Sequence, residues 1–212
     1  MVRLCYNKGT LRENSEKIGR IAMKRTFSTR KLAYLGLMTA LVFASNYARI
    51  VMPIQIGGTT AFTLANIVCC LSGLMLGPVG GLASGLGSAL YDLTNPLYAA
   101  ECWITFLTKG AMGLVAGVAA FKLFKKEGDN CYAKYLVSGV LGCVAYYILY
   151  FFKTFLIAGL FAEEGSAALG LAAIVGKIPA SVFNAAVAII VAPPLAIALE
   201  KALDKAGLRL ED

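Results

Sequence analysis

No histidine occurs among the 212 residues. Its absence excludes Ser-His and Cys-His hydrolases, His-ligated haem and zinc sites, and HExxH membrane proteases. The six cysteines, Cys5, Cys69, Cys70, Cys102, Cys131 and Cys143, include no CxxC pair, so neither a disulfide framework nor a metal site is implied. Cys69 and Cys70 sit inside an apolar run, where cysteine serves as a small hydrophobe. A GxxxxGKS/T phosphate loop is also missing, which removes ATP hydrolysis by that route. Charge is scarce as well: 15% of residues are charged, against about 25% in a soluble domain.

What fills the chain instead is apolar. Hydrophobic residues make up 58% and the mean hydropathy is +0.71, which places the protein in a membrane class. The formal net charge of +8 would suit a nucleic-acid partner if it were spread over a surface. It is not. Residues 1–31 hold nine Lys/Arg (Arg3, Lys8, Arg12, Lys17, Arg20, Lys24, Arg25, Arg30, Lys31) against Glu13 and Glu16, leaving a net +1 for residues 32–212. No nucleic-acid partner is expected.

A helix needs about 20 mostly apolar residues to cross the hydrocarbon core. Charge-free intervals run over 32–48, 50–91, 135–152 and 178–199, with single lysines at Lys109, Lys153 and Lys177 interrupting the apolar stretches between. The interval from Ile50 to Tyr91 is too long for one crossing and divides at Gly77-Pro78, a turn pair that ends a helix. Six helices are therefore predicted, at 32–49, 61–76, 79–94, 101–121, 135–158 and 168–198. The fold class is all-α and polytopic. The second and third helices are short, and a re-entrant hairpin is the alternative; both versions return the chain to the same side.

Counting Lys/Arg orients the bundle. With the N-terminus inside, the inner segments carry nine bases in 1–31, four in 122–134 (Lys122, Lys125, Lys126, Lys134) and three in 201–212 (Lys201, Lys205, Arg209). The outer segments carry Arg49 alone, with the acids Asp92, Glu101, Glu163 and Glu164. Both termini are predicted to be cytoplasmic. Three parts follow: a basic cytoplasmic segment 1–31, a transmembrane domain 32–200 and a short cytoplasmic tail 201–212. The first 31 residues lack a secretory cleavage pattern. Met23-Lys24-Arg25, directly before the first span, offers an alternative start.

Small residues recur every four positions on two helices. Gly36, Ala40, Ala44 and Ala48 form one stripe; Gly77, Gly81, Gly85 and Ala89 form another. Such seams let helix backbones approach closely. Packing within the bundle suits the second stripe, whereas the first suits either packing or an outside partner.

Ionisable residues within the membrane mark functional sites. Asp92 and Lys109 are placed to form a structural ion pair. Lys153 either snorkels to the interface or faces a pocket. Lys177, Ser181 and Asn184 share one helical face, which reads as a cavity lining. Asn95, Tyr98 and Trp103 lie at outer helix ends, and Tyr146, Tyr147 and Tyr150 offer stacking walls or belt and core positions. No acid–base dyad, activated nucleophile or metal set accompanies them, so the pocket reads as binding rather than catalysis, with no cofactor.

The stretches Leu76-Gly77-Pro78-Val79-Gly80-Gly81, Gly85 to Leu93 and Lys109 to Leu114 resemble the S components of energy-coupling factor (ECF) vitamin transporters, over about residues 24–205. The sequence looks like the branch that contains the hydroxymethylpyrimidine, pyridoxine and related S components. Ala40-Leu41-Val42-Phe43-Ala44 is similar to the AxxxA motif by which S components dock on the transmembrane coupling subunit, and Ala192-Pro193-Pro194-Leu195 to a motif near the inner end of the last helix. The resemblance implies six helices with both termini inside, and capture of a vitamin or precursor at the outer face. Delivery would use the coupling subunit and two cytosolic ATPases, in the plasma membrane of a prokaryote. It also implies a lid over Met52–Thr60 that contributes Gln55 and Thr59. The expected binding residues are Gln55, Asn95, Tyr98, Trp103, Tyr146, Lys153, Lys177 and Asn184, with Gly36, Ala40, Ala44 and Ala48 as the docking face. A non-transport membrane scaffold that uses the helix-one stripe is the alternative function.

Overall fold

The computed structural model describes residues 29–51, 61–96, 98–123, 131–159 and 166–207. Six α-helices account for most of them: α1 (Thr29–Tyr47), α2 (Ala65–Leu76), α3 (Gly80–Thr94), α4 (Cys102–Val118), α5 (Cys131–Gly159) and α6 (Ala167–Lys205). Two three-residue strands, β1 (Arg49–Val51) and β2 (Ala61–Thr63), pair antiparallel between α1 and α2, with Arg49 opposite Thr63. This corrects the predicted helical span over 61–76 at its start: residues 61–63 take their backbone partners from β1, and the helix begins at Ala65.

Gly77 and Pro78 end α2 as the sequence predicts. Gly77 adopts φ 64°, a left-handed conformation that glycine takes without steric cost, and Pro78 opens a short 3-10 turn into α3. The two helices then fold back on each other. Ser72 and Ser84 hydroxyls lie 2.6 Å apart, Ser84 Oγ donates to the Cys69 carbonyl at 3.1 Å, and Cys69 Sγ approaches Ser88 Oγ at 3.8 Å. Pairs with a near-constant residue-number sum are the signature of an antiparallel hairpin. These buried hydroxyls satisfy one another inside an apolar core, which limits the cost of burying them.

Among the described residues, four helical stretches are long and apolar enough to cross a membrane: Ala65–Thr94, Ala99–Lys122, Tyr132–Gly159 and Ala167–Lys205. The first of these is the α2–α3 hairpin. Exposed apolar side chains follow helical spacing, as with Leu82, Leu86, Leu90 and Leu93 on α3 and Leu141, Val144, Ile148 and Phe152 on α5. Water would oppose such continuous apolar stripes, whereas lipid accepts them.

Close backbone approach holds α3 to α4. A Cβ at Gly81 would fall 2.8 Å from the Gly110 carbonyl oxygen, and one at Gly85 would fall 2.8 Å from that of Phe106. The second small-residue stripe is therefore an internal seam. The first behaves differently: Gly36, Ala40, Ala44 and Ala48 are all exposed, and a Cβ at Gly36 would meet nothing within 4 Å. Helix α1 packs on the bundle through Met38 and Val42 instead.

Candidate binding cavity

Six helix ends converge on one cavity of about 530 Å³. Its lining includes Asn46 near the end of α1, Asn66 near the start of α2 and Asp92 near the end of α3. Thr105, Thr108 and Lys109 come from the first half of α4, Lys153, Thr154, Ile157 and Ala158 from the end of α5, and Lys177, Ser181 and Asn184 from the first half of α6. C-terminal ends of α1, α3 and α5 thus meet N-terminal ends of α2, α4 and α6, so successive helices alternate in direction. Residues far apart in sequence reach one place because of that alternation.

The strand pair closes one side. Its register sets Arg49 opposite Thr63, and both line the cavity. The Asn184 side chain accepts from the Thr63 backbone N–H at 3.2 Å and donates to the Ala180 carbonyl at 2.9 Å, which fastens β2 to α6. Phe62 meets Phe183 edge-on at 5.6 Å beside that bond. Arg49 donates to the Tyr98 phenol at 3.1 Å and lies over the rings of Tyr98 and Tyr91.

Deeper in, Lys109 is almost fully buried. Its ammonium donates to the Asn66 side-chain oxygen and sits 4.7 Å from the centre of the Tyr146 ring. The Asn66 amide nitrogen in turn reaches Tyr147 at 3.5 Å. The expected Asp92–Lys109 ion pair is not formed. Asp92 lies beside Thr105, and the close ion pair at this site joins Lys153 to Glu101. Glu101 stands immediately before α4 and its side chain turns to α5, where it accepts from Lys153. Tyr146 and Tyr150 stack with centroids 5.7 Å apart, and Lys177 lies over the Tyr150 ring.

Of the residues singled out from sequence, Tyr98, Tyr146, Lys153, Lys177 and Asn184 line this cavity together with Asp92 and Lys109. Trp103 does not. It is 62% exposed, on the α4 face that carries Leu107 and Leu114, which points away from the bundle. Asn95 follows α3 as its C-cap and is also outside the lining. Gln55, Thr59 and the rest of the expected lid lie outside the described residues, as do Glu163 and Glu164. Asn46 and Asn66 went unremarked in the sequence, although each is an amide beside an apolar run; both are buried polar groups here. Arg49, read only as the one outer base, is a lining residue.

A helical membrane bundle with a polar, aromatic-walled cavity at one end defines a small-molecule binding protein of the membrane. The chain belongs to the family of the ECF-type riboflavin transporter, S component, whose family model matches residues 26–201. S components are substrate-binding subunits for vitamin uptake, work with a module of transmembrane and ATPase subunits, and are not enzymes. Comparison with curated proteins gave no match.

Proposed function

We propose that this chain captures a ring-bearing vitamin or vitamin precursor at the outer face of a prokaryotic plasma membrane and hands it to a coupling subunit driven by two ATPases. The observation that carries this reading is the cavity itself: about 530 Å³, walled by Tyr146, Tyr147 and Tyr150 and floored by a buried lysine. Ligand pockets for drug-sized molecules span roughly 300–1,000 Å³. That volume suits a fused-ring vitamin such as riboflavin, the solute in the family's name, with room to spare for the single-ring hydroxymethylpyrimidine or pyridoxine of the branch the sequence resembles.

In this reading all six helices of the domain 32–200 cross the bilayer, with the segments 1–31 and 201–212 in the cytoplasm. The sixteen-to-one excess of inner over outer Lys/Arg supports that orientation. The substrate meets the tyrosines, Lys177, Lys153 and Tyr98, and Gln55 is a further contact in this reading. Asn184 holds β2 in position at the same wall, while Asn95 and Trp103, outside the lining, do not contact the substrate in this reading. The exposed stripe Gly36, Ala40, Ala44 and Ala48 is the face for the coupling subunit.

Ala44→Trp separates capture from delivery. In proteoliposomes reconstituted with the coupling subunit and both ATPases, we expect this variant to bind substrate as the wild type does and to lose uptake. Normal uptake would remove the α1 face from the transport complex. A scaffold function would show the opposite pattern: assembly lost, with no small molecule bound by either protein.

A further inference from the structure

Among the described residues the charges of the cavity do not balance: Arg49, Lys109, Lys153 and Lys177 line it against Asp92 and Glu101, a surplus of two positive charges. Glu101 is committed to Lys153, and Lys109 is held by Asn66 and the Tyr146 ring. Arg49 donates to a phenol rather than a carboxylate, and its buried Nε has no hydrogen-bond partner among the described residues. Lys177 rests over the Tyr150 ring at 5.5 Å and has no hydrogen-bond or ion-pair partner among the described residues. A buried donor without an acceptor is costly until one arrives. Surplus positive charge between low-dielectric walls also concentrates anions.

We infer that the cavity selects a ring-bearing solute carrying an anionic group, with the anion at Lys177 and the ring against Tyr146 and Tyr150. This rests on the reading of the cavity as a capture site for a soluble molecule. The tyrosine wall distinguishes that solute from a lipid headgroup, which has no aromatic ring to place there. Thiamine-like cations are rejected by the same surplus.

Matched pairs of probes test it on the full-length protein in neutral phosphatidylcholine nanodiscs, by equilibrium binding. Riboflavin is set against riboflavin 5′-phosphate, pyridoxine against pyridoxine 5′-phosphate, and nicotinamide against nicotinate, with thiamine as the cation. The first two pairs read a phosphate and the third a carboxylate. We expect an anionic member to bind about tenfold tighter than its neutral partner, as for one charge-assisted hydrogen bond. Lys177→Gln should bring that ratio near one, and Lys177→Arg should keep it. Neutral members or thiamine binding at least as tightly would overturn the anion preference, and a ratio that survives Lys177→Gln would overturn the seat of the anion at Lys177; either result leaves the capture site standing. Binding by none of the seven would overturn both.

Discussion

Lys109 is the residue whose surroundings are most demanding. An ammonium taken out of water costs several kcal/mol unless its partners restore what hydration supplied. Asn66, 43 residues away in sequence, does so here together with the Tyr146 face. Replacing Asn66 by Leu leaves the charge buried and unpaired, which should cost about 3–5 kcal/mol and lower the melting temperature in detergent. The double variant Asn66→Leu/Lys109→Met should recover most of that loss, since two apolar groups of similar size need no partner. Equal melting of the Asn66→Leu variant and the wild type would show that the bond carries no weight. The lysine was legible in the sequence as an ionisable group in an apolar stretch; its partner was not. Asp92 was the nearest acid on the neighbouring helix end, and only the crossing of α2 and α4 brings Asn66 nearer. By contrast, Lys177, Ser181 and Asn184 were readable as one face, because four- and three-residue spacing suffices to align them on a helix.

At the scale of elements, two stripes of the same spacing have opposite fates. Both were visible as small residues every four positions, but spacing alone does not say what stands opposite. Gly81 faces the backbone of α4, whereas Gly36 faces open space. Gly81→Val should therefore push α3 from α4 and lower stability by about 1–3 kcal/mol, the range for overpacking. Gly36→Val should leave the melting temperature unchanged. Similar shifts for the two variants would place both stripes in the same environment and contradict the exposed α1 face. The Gly77-Pro78 turn was equally legible, because its chemistry is local. The β1–β2 pair was not: three-residue strands are too short for an alternating pattern, and their stability comes from Asn184 and Phe183 on a helix more than 120 residues away.

For the whole molecule, alternation of helix direction and charge asymmetry lead to one arrangement. The cavity end gathers Arg49, Asp92, Glu101 and Lys153, while the far end holds the Tyr135–Glu200 bond and Lys134. Sidedness is checked by cysteine labelling of intact cells with a membrane-impermeant maleimide. Ser166→Cys, at the exposed start of α6, should label above the wild type without permeabilisation. Ala206→Cys, just past the end of α6, should label only after it. The reverse pattern would invert the orientation and turn the cavity toward the cytoplasm. Trp103 belongs to this scale too: its exposure beside Leu107 and Leu114 suits an anchor at the membrane interface more than a wall of the site.

Capture of a small molecule in the cavity by this chain alone is the central claim. Native mass spectrometry of the full-length protein, purified without the coupling subunit and ATPases, addresses it most directly when wild type and Ser181→Trp are compared. Ser181 is buried and lines the cavity, so an indole there fills the space a ligand would take. The wild type should carry one small-molecule adduct at substoichiometric to full occupancy, and Ser181→Trp, folded by its melting curve, should carry none. The same adduct on both proteins would place the ligand elsewhere, and no adduct on the wild type, even after incubation with the vitamins named above, would contradict capture itself.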